Sequence, residues 1–282
     1  MVKTATVAPY ISEEFRKAVT LHIYKLYDQR FSMGAPLILC VHGPSGEGKT
    51  FQCQHILRDL QVELFQIDIS SFEDKHAGVP AKTIRDRYND AVSFYQKCSH
   101  WSCVFINDFD LAIGNFGQLH QYTVNTQQIN GVLMSLADYD PSRPVRVPIV
   151  ITCNDMTKLY KPLIRAGRMQ SYFWDPNRED KCKMVQGVFP DRTSSECVKL
   201  VQDFEQEAKR LGLSVVPPIS FYSAVANSAP DNALWESLNR QAPTRPGVPQ
   251  NLMTHPTLKD IYEAGMNRLQ EIARGNRSYL EV

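Results

Sequence analysis

No pair of cysteines in this chain has the C-x-x-C spacing, although seven are present: Cys40, Cys53, Cys98, Cys103, Cys153, Cys182 and Cys197. That absence excludes the common zinc-ribbon and thioredoxin-type motifs, and the odd number reads as reduced thiols in a reducing compartment. The chain also lacks a surplus of either charge, with 31 Lys+Arg against 30 Asp+Glu. Without a basic excess, holding nucleic acid or an anionic membrane surface is not expected as the main task. No apolar run nears the ~18 residues of a membrane span. The longest, residues 35–41 and 147–153, are of strand length. Residues 1–11 carry no arginine and no continuous apolar block, so neither a secretory signal nor an arginine-rich transit peptide is read there. A cytosolic or already processed chain is the expectation.

What is present is an alternation of periods. With 282 residues, 43% of them hydrophobic, there is room for one large domain or two smaller ones around a sizeable core. Ile11, Phe15, Ala18, Val19, His22, Ile23 and Leu26 recur at helical spacing behind Ser12, an N-cap candidate followed by Glu13 and Glu14. An apolar run over 36–41, a glycine loop, a helix over 49–60 and a short strand over 63–69 follow, which is a βαβ signature. Pro80 suits the first position of the next helix, whose stripe is Ile84, Tyr88, Val92 and Tyr95. Strands over 102–106, 147–153 and 170–174, with a helix over 124–137, complete the pattern. The fold class is therefore α/β, a parallel sheet covered on both faces with ligands at the carboxyl ends of its strands. After Pro176 the period is helical throughout, so the expected domains are 1–176 and a helical 177–282. The latter includes a proline-rich connector over 241–256 and a last helix opened by a capping box from Thr257 to Asp260.

Residues 43–50 read GPSGEGKT and fit G-x-x-x-x-G-K-[ST] between a strand and a helix, the context that motif requires. Backbone N–H groups of such a loop wrap phosphates, and the helix N-terminus adds partial positive charge. The candidate nucleotide-binding set is Gly43, Pro44, Ser45, Gly46, Glu47, Gly48, Lys49, Thr50 and Phe51. Lys49 is expected to meet the β- and γ-phosphates and Thr50 to ligate Mg²⁺. Such a loop needs an acidic strand end nearby, and FINDFD supplies Asn107 and Asp108. Asp108 is the candidate metal-handling and water-orienting carboxylate; Asn107 either holds a metal-bound water or shapes the turn. Asn154, after the apolar strand, is placed to hydrogen-bond the γ-phosphate or the water. Arg165 and Arg168, three apart around Gly167, offer guanidinium forks for transferring phosphoryl charge.

The stretches GEGKTFQC, AGVPAKTIRDRY, FINDFD, QYTVNTQQIN, VPIVITCND, LYKPLIRAGRM and FWDPNRED, in that order between residues 42 and 180, resemble an AAA+ ATPase and, more narrowly, Rubisco activase. The resemblance implies an AAA+ P-loop domain with a five-stranded parallel sheet, a small helical lid, and ATP with Mg²⁺ bound between subunits of a ring, by that likeness a hexamer. It implies that Arg165 and Arg168 act on a neighbour's nucleotide, that His22 and Ile23 border the adenine, and that residues 71–78 and 114–121, with Lys75 and Phe116, line a central pore. The implied activity is ATP-dependent release of inhibitory sugar phosphates from Rubisco, with the Rubisco large subunit as partner. The implied place is a bacterial cytoplasm or, after processing, the chloroplast stroma. One departure stands out. The family's lid helix carries an arginine, yet residues 221–235 contain none and Ala226 stands at that place. The alternative is therefore an assembly module, or a remodeller of another target, with weak ATPase activity.

Overall fold

A computed structural model describes residues 9–68, 79–113, 124–143, 145–214, 216–237 and 256–280. The chain forms two compact units, Ile11–Asp175 and Pro176–Val282, the latter taking in Tyr10 as well.

In the first unit, α1 (Glu13–Tyr27) precedes β1 (Ile38–His42), α2 (Lys49–Asp59), β2 (Glu63–Ile67), α3 (Val79–Cys98), β3 (Ser102–Ile106), α4 (Phe109–Ile113), α5 (Val124–Ala137), β4 (Ile149–Cys153) and β5 (Met169–Phe173). The strands form one parallel sheet in the order β2-β3-β4-β1-β5. All of β3 and β4 and all of β1 but His42 are buried, which is why these runs read as continuously apolar. Alternate residues Ile38 and Cys40, Val104 and Ile106, and Ile149, Ile151 and Cys153 share a core with Ile84 and Tyr88 of α3 and Ile129 and Leu133 of α5. β5 lies at an edge, and accordingly exposes Gln170, Ser171 and Phe173.

The central order puts β1 between β4 and β5 in register, with His42 opposite both Cys153 and Phe173. The residues that follow β1, β4 and β5 therefore emerge side by side at the carboxyl end. The loop from β1 to α2, Asn154 and Trp174 become neighbours for that reason. Element types follow the sequence reading closely, with small shifts at the ends: α2 stops at Asp59 and β5 begins at Met169. The short helix α4 had no periodic signal, because five residues are too few to show one.

Ser12 caps α1 by position but not through its side chain; its backbone N–H donates instead to Gln52 Oε1 at 2.9 Å, tying α1 to α2. His22 is a correction to the expectation that it borders a base. It is 2% exposed and lies against the backbone of Leu37 and Ile149, at the amino ends of β1 and β4, and Ile23 is fully buried. The glycine loop is at the opposite end of those strands, so neither residue reaches it. Burial holds the His22 imidazole down to about 3; backbone hydrogen bonding at Ile149 and Leu37 opposes it, and the charges of Arg146 and Lys25 add smaller pushes downward. Between pH 6.5 and about 3 the unfolded chain therefore binds a proton that the folded chain refuses. Stability must rise with pH across that window, by up to ~1.4 kcal/mol per unit from this residue. Denaturant unfolding at pH 6.5, 5.5 and 4.5 should show the slope, and His22→Leu should flatten it.

The second unit packs α6 (Arg178–Val188), α7 (Ser194–Arg210), α8 (Ile219–Ser228), α9 (Asp231–Ser237) and α10 (Leu258–Leu280). Thr193 and Glu196 form a capping box at α7, and Thr257 and Asp260 exchange the equivalent bonds at α10. Phe204 of α7 sits among Phe221, Tyr222 and Tyr262. Gly265 lets α10 pass over it, since a Cβ there would lie 2.2 Å from the Phe204 ring. Most of the proline-rich connector, and the two loops expected to line a pore with Lys75 and Phe116, lie outside the described residues.

Candidate functional site

The loop between β1 and α2 adopts backbone angles that only glycine takes readily. Gly43, Gly46 and Gly48 have φ of 149°, 79° and 77°. At Gly43 the requirement is doubled, because a Cβ would lie 1.9 Å from the carbonyl oxygen of Trp174. Trp174 in turn donates its backbone N–H to His42 O and its indole Nε1–H to Glu47 O, both at 2.7 Å. Its ring packs edge-on against Phe15, which also meets Tyr172. A buried tryptophan thus holds both sides of the glycine loop. Sequence reasoning missed it, since a strand-end aromatic gives no signal of what it faces; only the block FWDPNRED pointed there.

Helix α2 begins at Lys49 with left-handed Gly48 as its cap, no side-chain cap bond and no acid in its first turn. Its first N–H groups are left for an anion. Lys49 is 5% exposed, and its Nζ donates to Gly43 O and Pro44 O at 2.8 Å and to Asn154 Oδ1 at 2.9 Å. Burial lowers the Lys49 pKa, and the charges of Asp108, Cys153, Asp110 and Glu47 oppose that shift. Thr50 Oγ1 donates to Asn107 Oδ1. Asn107 Oδ1 also accepts from Thr152 Oγ1 at 2.8 Å, while its Nδ2 donates to Asp108 Oδ2 at 2.7 Å. Asp108 N donates to Thr152 Oγ1 at 3.0 Å, and Asp108 has φ 50°, a left-handed conformation uncommon outside glycine.

Lys49, Thr50, Asn107, Asp108 and Asn154 are therefore one connected group at the carboxyl ends of β1, β3 and β4. Thr152, which was not anticipated, belongs to it, and so does Asp110, the last residue of FINDFD, to which the sequence alone assigns no separate role. Thr152 lies inside an apolar strand, where a lone threonine reads as filler, and Asp110 reads as a helix-start residue. Ser45 and Gly46 lie in the same loop, Glu47 is buried, and Phe51 is exposed on α2 with its ring against His55.

Arg165 and Arg168 lie between β4 and β5. Arg168 is committed: Nε and Nη2 donate to the two carboxylate oxygens of Asp138 at 2.6 and 2.9 Å, and Nη1 to Pro162 O at 2.8 Å. That bidentate bond holds the Asp138 carboxyl below its usual range. Arg165 is exposed; its backbone carbonyl accepts from Arg168 N and Met169 N, but its side chain makes no hydrogen bond or ion pair among the described residues. Both line a cavity of about 310 Å³ with Met33, Tyr139 and Arg146.

The geometry suits a phosphate-bearing ligand. The left-handed glycines leave room where a Cβ would intrude, α2 has unclaimed N–H groups, and a lysine already aims its ammonium into the loop. For a divalent cation, a hydroxyl, a carboxylate and an amide oxygen converge. Among the described residues no group of three or more His, Cys, Asp or Glu could hold a metal by itself. The Thr50 hydroxyl, the Asn107 amide oxygen and the Asp108 carboxylate suit Mg²⁺, which is typically held by one or two protein oxygens together with phosphates. The seven cysteines are all free, with Cys40 and Cys153 Sγ 3.3 Å apart in the core. No helix among the described residues is long and apolar enough to cross a membrane.

Residues 39–177 match the AAA family, the ATPase family associated with various cellular activities. The chain is 39% identical over 207 residues to ribulose bisphosphate carboxylase/oxygenase activase 2, chloroplastic, of Nicotiana tabacum, covering 69% of this chain and 47% of that protein. It is 37% identical over 243 residues to the ribulose bisphosphate carboxylase/oxygenase activase of a Nostoc species, covering 82% of this chain and 56% of that one. The chain thus spans about half the length of the curated relatives it matches.

Proposed function

Because this chain carries an AAA+ ATPase domain and resembles Rubisco activases, we propose that it hydrolyses ATP with Mg²⁺ to remodel Rubisco and release inhibitory sugar phosphates. The observation that carries the reading is the convergence of Lys49, Thr50, Asn107, Asp108 and Asn154 around one glycine loop. The nucleotide supplies a transferable γ-phosphoryl group and the cation neutralises charge on it. Around them, the loop from Gly43 to Gly48, Pro44 excepted, presents backbone N–H groups, Lys49 provides a fixed positive charge, and Thr50 and Asp108 would hold the cation. Asp108 also orients water, and Asn154 offers an amide beside Lys49. Asn107, bridging Thr50 to Asp108, keeps the hydroxyl and the carboxylate in one arrangement. His22 and Ile23 have no part in base binding under this reading.

The segment carrying Arg165 and Arg168 faces the nucleotide of an adjacent copy in a ring, which we take to be a hexamer. Arg165 supplies the reaching guanidinium, and Arg168, tied to Asp138, braces the segment from which it projects. Residues 177–282 serve as the lid domain and 1–176 as the nucleotide-binding domain. The relatives' names support a chloroplast stroma or a cyanobacterial cytoplasm as the setting.

A second reading keeps the nucleotide but gives it a structural task in assembly. One feature favours it: the stretch 221–235 has no arginine. Steady-state turnover separates the two. Under the first reading, Mg²⁺-dependent ATP hydrolysis accompanies ATP-dependent recovery of Rubisco inhibited by a sugar phosphate. Turnover without recovery removes Rubisco as the target and leaves the ATPase; nucleotide binding without turnover favours the assembly module.

A further inference from the structure

The carboxylate of Asp110 sits at the site with a purpose that phosphate, cation or water does not explain. It lies on α4, is 1% exposed, and comes from the chain just beyond β3. Its Oδ2 accepts the backbone N–H groups of Asn154 and Asp155, each at 3.1 Å. Its Oδ1 has no partner among the described residues. A carboxylate buried this deeply with half its acceptor capacity idle is costly, so its retained bonds must matter to the folded chain. The turn after β4 does not need it for local closure. Asp155 already closes that turn by accepting from Thr157 N and Thr157 Oγ1 at 2.9 and 2.6 Å.

We propose that Asp110 is a positioning residue of the nucleotide site: it clamps the backbone of Asn154 from behind, so that the Asn154 amide stays on Lys49 and in line with the phosphate. This rests on the hydrolase reading given above. The connected path is short. Asp110 Oδ2 holds Asn154 N, and Asn154 Oδ1 holds Lys49 Nζ at 2.9 Å. β3 and β4 pair in register, Ile106 opposite Ile151, so Asp110 bridges the loops leaving two adjacent strands. The bridge makes the spacing between Asp108, just before α4, and Asn154 a fixed property of the fold. The Asp110 charge also counters the desolvation of Lys49, which favours a protonated ammonium. An amide that must meet a reacting phosphate tolerates little drift, since a misplacement of ~1 Å can lower a rate by ~10²-fold.

The test uses the full chain with four variants: Asp110→Ala, Asp110→Asn, Asn154→Ala and the double Asp110→Ala/Asn154→Ala. ATP turnover and amide hydrogen exchange are measured on each. Asp110→Ala is expected to lower kcat by ~10- to 100-fold with KM for ATP within ~3-fold. Asp110→Asn, whose amide oxygen can still accept, should fall between it and the wild type. The double variant should be no slower than Asn154→Ala, because the clamp acts only through that residue. Exchange at the amides of Asn154 and Asp155 should quicken in both Asp110 variants while the sheet amides keep their protection. Wild-type kcat in Asp110→Ala, or losses that simply multiply in the double variant, overturns the proposal. So does a loss of nucleotide affinity and global stability in step with kcat, the mark of a merely structural residue. If Asp110→Ala does not fold, Asp110→Asn carries the same comparison. Absence of turnover in the wild-type chain rejects the hydrolase reading and the positioning role with it; quickened exchange would then mark the clamp as purely architectural.

Discussion

Lys49→Ala should lower ATP turnover by at least ~10²-fold, the scale on which removal of one preorganised electrostatic group acts in a water-poor site. The loss has two parts. The first is the charge that would face the phosphates. The second is visible without any nucleotide, for Lys49 Nζ gathers Gly43 O, Pro44 O and Asn154 Oδ1 around one ammonium. Alanine leaves those three acceptors without their donor, at ~1–3 kcal/mol for each that water cannot reach. The melting temperature should therefore drop by a few degrees, at roughly 2–4 °C per kcal/mol for a domain of this size. Lys49→Arg keeps a charge and separates the two parts: its bulk and planar fork suit the loop poorly, so turnover should stay low while thermal stability partly returns. Undiminished Mg²⁺-dependent hydrolysis by Lys49→Ala would show the glycine loop to be architectural.

The sheet and its helices were legible because each element carries a period. The continuously apolar β3 and β4 announce burial on both faces, and the stripe from Ile84 to Tyr95 announces α3. The glycine loop was legible for a different reason: backbone angles at positive φ and the approach of Trp174 leave few alternatives to glycine at Gly43. What could not be read was anything that depends on two loops meeting. Trp174, Thr152, Asp110 and Asp138 take their meaning from partners 127, 45, 44 and 30 positions away in the chain. No local pattern encodes such pairs. His22 shows the converse error. Its helical spacing with Val19 and Leu26 signalled a core face, and the spacing was the better guide than family likeness, which placed it by the nucleotide. Arg165 and Arg168 looked equivalent in sequence, and only the bidentate bond to Asp138 tells them apart.

That difference makes the mixed-ring experiment specific. Under the trans reading, Arg165→Ala removes the guanidinium that reaches the adjacent copy, and turnover should fall by ~10³-fold or more, the range in which such arginines act. Arg168→Ala should cost less, on the order of tenfold. It leaves Arg165 in place but frees the loop that Arg168 braces through Asp138 and Pro162. Asp108→Asn should be inactive on its own account, because under the same reading it loses the charge that would hold the cation and orient water. Arg165→Ala and Asp108→Asn damage different faces of the subunit, so a mixture forms some interfaces in which an intact Asp108 site meets an intact Arg165. At equal ratio and random assembly about a quarter of the interfaces are of that kind, and turnover should recover toward that fraction. Size-exclusion chromatography with differently tagged subunits establishes that mixed assemblies form. Mixed assemblies that stay inactive would place Arg165 in its own subunit's chemistry. Equal damage from Arg165→Ala and Arg168→Ala would instead mean that the bond to Asp138 opens on assembly and that both guanidinium groups reach across.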